Sequence, residues 1–110
     1  MRALGVVAVA LALASPALAT TGSPLAGKTV FKAKCGTCHT LKVAGTVGKG
    51  DNRGPMLTNK RETVAKIMAE MSGANTGLMP TFVGMLTNKQ INDVVAFVVA
   101  ASKPGVTVVK

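Results

Sequence analysis

The sequence predicts an all-α fold in which three to four short helices are joined by long loops. Two segments carry apolar residues at the spacing of one helical face, and each follows a residue pattern that caps helix N-termini. Between such segments lies a stretch rich in glycine, with Pro55 in it, which excludes the interior of a regular helix or strand. The expected architecture therefore has helices at both ends of the domain and loops between them.

The first helix is expected directly before the two cysteines of the chain. Ser23 suits the N-cap, and Pro24 suits the first helical position because its missing N–H is not needed there. The predicted helix over residues 25–34 places Val30 and Phe31 inward and the lysines outward.

A second helix is predicted to follow residues 59–62. These residues read NKRE and resemble a capping box, with Asn59 as the side-chain acceptor and Glu62 three residues further on. The next apolar positions are spaced i, i+3, i+4 and i+7; they are Val64, Ile67, Met68 and Met71. The glycines of the segment SGANTG then end the helix.

The last helix is predicted to begin after Thr87, with Gln90 in the reciprocal position of a capping box. Its apolar face, flanked by Phe97, consists of Ile91, Val94, Val95, Val98 and Val99. The segment VVAFVVA is rich in β-branched residues and is also compatible with a buried strand. The capping pattern and the helical spacing favour a helix, since only the short tail is available as a partner strand.

The N-terminal segment is typical of a secretory signal peptide. Arg2 supplies a positive charge, residues 3–14 are uninterruptedly apolar, and residues 17–19 form a small-x-small cleavage site. The apolar run is shorter than the roughly 20 residues that a membrane span needs. We expect residues 1–19 to be a cleaved signal peptide and residues 20–110 to be the mature domain, with an uncleaved anchor as the alternative.

Composition and charge restrict the class of protein further. The chain has three Phe and neither Trp nor Tyr, so no large aromatic cluster fills its core, and a cofactor is one way for a small domain to compensate. Thirteen Lys and Arg, one of them Arg2, stand against four Asp and Glu, which leaves +8 rather than +9 once the signal is removed. The charge suits either a solvated surface or an acidic protein partner. Nucleic acid is excluded as a partner for an exported chain without stacking aromatics or a recognition motif.

Residues 35–39 read CGTCH and contain both cysteines and the single histidine of the chain. A thioredoxin-like dithiol is disfavoured because its CxxC begins a helix after a strand. A structural zinc site normally needs four protein ligands, and a disulfide over two residues would constrain little of the unfolded chain. CxxCH is the signature of covalent haem attachment, in which Cys35 and Cys38 bind the haem edge and His39 binds the iron.

The sixth iron ligand is left open by the residues alone, since no second histidine exists. Methionine, lysine, water and an empty position are the alternatives. Met79 lies in the irregular segment GLMPTF, forty residues beyond His39, which is enough chain to reach the opposite haem face. Met56 and Met85 are further candidates for lining the pocket, whereas core packing is expected for the helical methionines.

The mature chain resembles the small bacterial class I c-type cytochromes along nearly its whole length. The matching motifs are GKTVFKAKCGTCHT, GPML, MPTF and INDVVAFVVA. The resemblance implies the class I cytochrome c fold, wrapped around one covalently bound haem c. It also implies that Gly27 and Phe31 pack against the last helix at Phe97. The absence of Trp and Tyr departs from the family, which often uses them to bind a haem propionate.

The resemblance also assigns roles at the haem. The carbonyl of Pro55 accepts a hydrogen bond from His39 Nδ1, Met79 is the distal iron ligand, and Phe82 lines the pocket. The implied function is that of a soluble, monomeric, non-enzymatic one-electron carrier between a redox donor and acceptor in the periplasm or another extracytoplasmic compartment. It would have no stable membrane insertion after signal cleavage. The alternatives are an electron-entry subunit of a larger oxidoreductase and a gas-binding haem protein with an open sixth site.

Overall fold

The computed structural model describes residues 22–50, 53–72, 79–82 and 84–110. Within them the elements are α1 (Pro24–Lys34), a 3₁₀ turn (Lys42–Ala44), α2 (Val64–Met71) and α3 (Asn88–Ala101). The described residues form no strand beyond an isolated antiparallel bridge, so the all-α prediction is confirmed. No helix in this part of the chain has the length and apolarity of a membrane span. The predicted signal segment, residues 1–19, lies outside the described residues.

The first and last helices begin where the sequence predicts. Ser23 Oγ accepts a hydrogen bond from the Ala26 amide at 3.2 Å, and Pro24 occupies the first turn of α1. At α3 both halves of the capping box are present: the Gln90 amide donates to Thr87 Oγ1 at 3.1 Å, and the Thr87 amide donates to Gln90 Oε1 at 2.9 Å. The strand alternative for the last segment is therefore wrong.

The predicted capping box at residues 59–62 is wrong. Helix α2 begins at Val64, and its cap is Thr63, whose side chain accepts from the Lys66 amide at 3.2 Å. Asn59 and Arg61 have φ angles of 63° and 53°, in the left-handed region that a right-handed helix cannot include.

A residue distant in sequence holds the turn before α2. Ser102, which is fully buried at the end of α3, accepts the Arg61 amide at its carbonyl oxygen and the Glu62 amide at its hydroxyl, each at 2.9 Å. These two tertiary hydrogen bonds occupy the first-turn amides that a cap at Asn59 would otherwise bind. They also fix residues 61 and 62 against α3.

The apolar face of α2 is narrower than the spacing of its apolar residues in the sequence predicts. Ile67 and Met71 are buried, but Met68 is 39% exposed, so the expected core role of Met68 is wrong. The helix has only eight residues and contacts the core along one face, so Met68, four positions after Val64, lies on the side away from the core.

Helices α1 and α3 pack together at the centre of the core. The rings of Phe31 and Phe97 are both almost completely buried, with centroids 5.7 Å apart and planes inclined at 58°. At Gly27 a Cβ atom would fall on the backbone carbonyl of Asp93 and 2.9 Å from Phe97 Cβ. The predicted packing of Gly27 and Phe31 against the last helix is thus confirmed, and the lack of a side chain at Gly27 sets the distance between the helices.

Asp93 joins the same two helices by hydrogen bonds. Its Oδ1 accepts from the Ser23 amide at 2.8 Å and its Oδ2 accepts from Lys89 Nζ at 2.7 Å, although the residue is only 4% exposed. The Lys89 hydrogen bond, and after it the Ser23 amide, hold the pKa of Asp93 below its ordinary value. This carboxylate therefore ties the start of α1 to α3.

Replacing Gly27 with Ala should destabilise the haem-loaded protein by about 1–3 kcal/mol, because the added methyl group overpacks the contact between α1 and α3. Denaturant unfolding measures the change. Lys32→Ala, an exposed substitution on the same helix, is the control and should leave the unfolding midpoint nearly unchanged. Equal midpoints for Gly27→Ala and Lys32→Ala would contradict the packing argument.

Replacing Asp93 with Asn should lower the free energy of unfolding at pH 7, and the difference from the unsubstituted protein should shrink in acid. The pKa of Asp93 is lower in the folded protein than in the unfolded chain, where it is about 3.9. The ionised carboxylate therefore stabilises the fold fully above the unfolded-state pKa. This stabilisation is lost as the pH falls through the folded-state pKa. Unfolding curves at pH 7 and pH 3 measure the difference. The control substitution Asn92→Ala should change the free energy of unfolding by the same amount at both pH values. If the effect of Asp93→Asn is also the same at pH 7 and pH 3, the stabilising role of the Asp93 charge is refuted.

Candidate functional site

The CGTCH segment continues the path of α1 as a tight turn. The amides of Cys35 and Gly36 both donate to the Phe31 carbonyl at 2.8 Å, and the amides of Cys38 and His39 donate to the Cys35 carbonyl at 3.1 and 2.9 Å. Residues three and four positions apart on such a turn share one face. Cys35, Cys38 and His39 therefore project from one rigid turn, which is held by the buried end of α1.

The imidazole of His39 is held by the loop that follows. His39 Nδ1 lies 2.8 Å from the carbonyl oxygen of Pro55, the contact that the family resemblance implies. A carbonyl oxygen only accepts, so Nδ1 carries a proton, and in the neutral imidazole the free lone pair is on Nε2. Such a contact selects the tautomer and the ring orientation of metal-binding histidines.

Gly54 allows this arrangement because it packs directly against the imidazole. A Cβ atom on Gly54 would overlap the His39 ring, with Nδ1 and Nε2 both 2.8 Å away. The Gly54 amide donates to the Cys38 carbonyl at 2.7 Å, and the Leu57 amide donates to the Thr40 carbonyl at 2.9 Å. The loop around Pro55 is thus fastened to the CGTCH turn on both sides of the histidine.

A single cleft brings together several of the predicted site residues. Cys35, His39 and Met79 all line it, although Met79 is forty residues beyond His39 in the chain. The remaining walls, which are mostly apolar, are formed by Phe31, Leu57, Glu62, Ile67, Glu70, Met71, Val94 and Val98. Residues that carry thiol, imidazole and thioether groups therefore line one apolar cleft.

The other predicted site residues lie around this cleft. Cys38 is half-buried on the CGTCH turn, and Pro55 is exposed and contacts His39. Phe82 is 6% exposed and belongs to the core, but it is outside the cleft lining. Met56 and Met85 are 49% and 66% exposed and do not line the cleft, so the expectation that they line the pocket is wrong. Their loops turn these side chains to solvent.

The segment that carries Met79 is attached to the end of α2. The Phe82 amide and the Thr81 hydroxyl both donate to the carbonyl oxygen of Met71, at 2.8 and 3.3 Å. Met71 itself is 3% exposed and lines the cleft, so it combines the core role expected for it with contact to the site. The helix end thereby fixes the backbone three residues beyond Met79.

The donor set fits a covalently bound haem c. Both cysteines are free thiols, and burial, followed by the proximity of Cys38, raises the pKa of Cys35 to about 11. An unattached Cys35 is therefore a neutral thiol at physiological pH. Thiols that bind the macrocycle edge, an oriented imidazole and a thioether in an apolar cleft are the groups by which proteins hold such a haem.

Sequence reasoning missed three residues of the site. The GPML motif contains Gly54, but its contact with the His39 ring depends on the tertiary path of the loop. The sequence pattern predicts a capping role for Glu62 and no role for Glu70, yet both line the cleft. The spacing of Glu70 to Met71 and Ile67 was the one available signal, since it places Glu70 beside the buried face of α2.

Comparison with known proteins agrees with the family resemblance that the sequence motifs indicate. The sequence model of the cytochrome c family, described as "Cytochrome c", matches residues 25–102. Cytochrome c6 of Rippkaea orientalis is 34% identical over 99 residues, covering 86% of this chain and 83% of that protein. Cytochrome c-555 of Prosthecochloris aestuarii is 37% identical over 82 residues, covering 66% and 82%. Cytochrome c6 of Limnospira maxima is 32% identical over 89 residues, covering 76% and 99%. No solved structure matches the chain significantly.

Replacing Gly54 with Ala should displace the His39 ring, because the new methyl group occupies the space of the imidazole. We expect the thermal unfolding midpoint of the haem-loaded protein to fall, with a loss of about 1–3 kcal/mol, and the ferric absorption spectrum to change. Arg53→Ala, at the exposed neighbouring residue, is the control and should preserve the spectrum. A Gly54→Ala variant with an unchanged spectrum and midpoint would contradict the close contact.

Proposed function

Because the chain belongs to the cytochrome c family and carries one covalent haem c, we propose that it is a soluble one-electron carrier with His39 and Met79 as the axial iron ligands. It transfers electrons between redox proteins and is not an enzyme. The observation that supports the ligand assignment is the shared cleft, in which Cys35, His39 and Met79 meet.

The haem, when bound, supplies a reversible one-electron change at its iron. Cys35 and Cys38 hold it by thioether bonds, so the cofactor is retained in both oxidation states. His39 Nε2 would bind the iron, while the Pro55 carbonyl, by accepting a hydrogen bond from Nδ1–H, orients the ring with Nε2 available as the ligand atom. Met79 would supply a soft thioether, a ligand that favours the reduced state and raises the potential.

The proposed ligand set restricts the chemistry of the haem. If His39 and Met79 both bound the iron, no coordination position would be left for a substrate or a gas molecule. The walls of the cleft are mostly apolar, with Phe31, Leu57 and Val98 among them, and offer few polar groups to a substrate. Electron exchange through the haem edge is the chemistry that such a site supports.

The charge distribution supports brief docking with acidic partners. Lys32 and Lys49 border the outer side of the CGTCH turn, next to Gly36 and Thr37, and both lysines are exposed. A donor and an acceptor with acidic patches would be attracted to this side of the molecule by long-range electrostatics. We propose that the carrier acts as a monomer, without a nucleic-acid partner.

The cellular location follows from the N-terminal segment. Residues 1–19 act as a signal peptide that is removed after export, so the mature chain, residues 20–110, works in the periplasm or another extracytoplasmic compartment. It has no stable membrane insertion after cleavage. Export also brings the thiols to the compartment in which haem is attached to CxxCH motifs.

Replacing Met79 with Ala should open the sixth coordination position of the iron. The unsubstituted protein should show the far-red ferric band of methionine ligation and no spectral response to carbon monoxide when reduced. The Met79→Ala variant should lose the band and bind carbon monoxide. Absorption spectra of the oxidised, the reduced and the carbon monoxide-treated reduced protein provide the measurement.

Met85→Ala is the matched control, because Met85 is 66% exposed and lies outside the cleft. Its spectra should equal those of the unsubstituted protein. Ready binding of carbon monoxide by the unsubstituted protein would replace the proposal with a gas-binding or catalytic haem. A matured protein without haem would disprove the proposed function altogether.

A further inference from the structure

Carboxylates are unexpectedly placed in this strongly basic chain. The sequence has four acidic residues, and two of them, Glu62 and Glu70, line the haem cleft. Asp93, the remaining acidic residue in the described part of the chain, is engaged in the contact between α1 and α3. Two of the three acidic residues in the described part of the chain therefore belong to the wall of the cleft.

Glu62 is held firmly at its position in the cleft wall. Its amide donates to the hydroxyl of the buried Ser102 at 2.9 Å, and its side chain is only 9% exposed. Lys66 Nζ lies 3.5 Å from Glu62 Oε1, but the Lys66 side chain is 63% exposed. Lys66 is thus exposed to solvent, where water and salt weaken its field, while Glu62 is nearly buried in the wall of the cleft.

Burial of a carboxylate opposes folding unless the charge is paired, and for Glu62 the charged partner is the solvent-exposed Lys66. A charge in a poorly solvated site acts more strongly on a neighbouring redox group than an exposed charge does. Removal of an electron adds positive charge to the haem, so a nearby carboxylate stabilises the oxidised state. The exposed lysines act in the opposite direction, but solvent screens them.

We propose that Glu62 sets the reduction potential of the haem, holding it below the value that the same axial ligands would give without this charge. Glu70 acts in the same direction from α2. The inference rests on the proposed function, because it concerns the potential of the haem that His39 and Met79 bind. It identifies Glu62 as a residue that determines which donors and acceptors the carrier can serve.

Glu62→Gln tests the proposal, because it removes the charge and keeps the length of the side chain and the backbone hydrogen bond to Ser102. At a fixed ambient potential, the ratio of reduced to oxidised protein should rise by about threefold to tenfold, equivalent to roughly 30–60 mV for a one-electron couple. Spectroelectrochemical titration of the haem-loaded protein measures this ratio. Glu62→Asp keeps the charge and should stay close to the unsubstituted protein, while Glu70→Gln should shift the ratio in the same direction.

Thr107→Lys is the matched charge control. It changes the net charge by the same amount as Glu62→Gln, but at an exposed residue of the C-terminal tail. Its effect on the ratio should be small and should vanish at high salt, whereas the effect of Glu62→Gln should persist. An equal shift for both variants, or no shift for Glu62→Gln, would overturn the proposal.

The far-red band and the response to carbon monoxide are followed in every variant. A shifted potential with both properties unchanged supports a direct effect of the charge. A shift accompanied by carbon monoxide binding in Glu62→Gln overturns the proposal, because Glu62 would then act on ligation. Carbon monoxide binding by the unsubstituted protein defeats the proposed function instead, and the potentials of the charge variants still decide the role of Glu62.

Discussion

The close approach of α1 and α3 is the constraint on which the rest of the structure depends. Gly27 lets the backbones meet, Phe31 and Phe97 fill the contact, and Asp93 ties the start of α1 to α3. Because CGTCH follows α1 without a break, the position of α1 on α3 also fixes where the thiols and the imidazole lie. In a chain this short, one well-packed helix pair is the most economical base for a cofactor site.

The opposite wall of the cleft depends on the same helix. The end of α3 reaches the turn before α2 through Ser102, which binds the amides of Arg61 and Glu62. The end of α2 in turn holds the Met79 segment through the carbonyl of Met71. A continuous series of hydrogen bonds therefore links α3 to the thioether side of the cleft, just as packing links it to the thiol side.

Local signals in the sequence predicted much of this arrangement. The caps at Ser23 and Thr87 depend on neighbouring residues, and the CGTCH motif places three reactive groups on one turn by itself. Features that depend on distant residues were missed. The turn at residues 59–62 is decided by Ser102, some forty positions away, and the apparent capping box there is overridden. The contact of Gly54 with the His39 ring and the place of Glu62 in the cleft are likewise set by the path of the chain.

The double attachment of α3 has a consequence for how the molecule responds to a change of oxidation state. Since α3 contacts both α1, which leads into CGTCH, and the turn before α2, a displacement of either part of the cleft wall would disturb the packing or the hydrogen bonds of α3. Groups held on such rigid elements keep their positions better than groups on loops. If His39 and Met79 hold the iron as proposed, little atomic rearrangement would accompany each electron transfer, so the structural contribution to the activation barrier would be small in both directions.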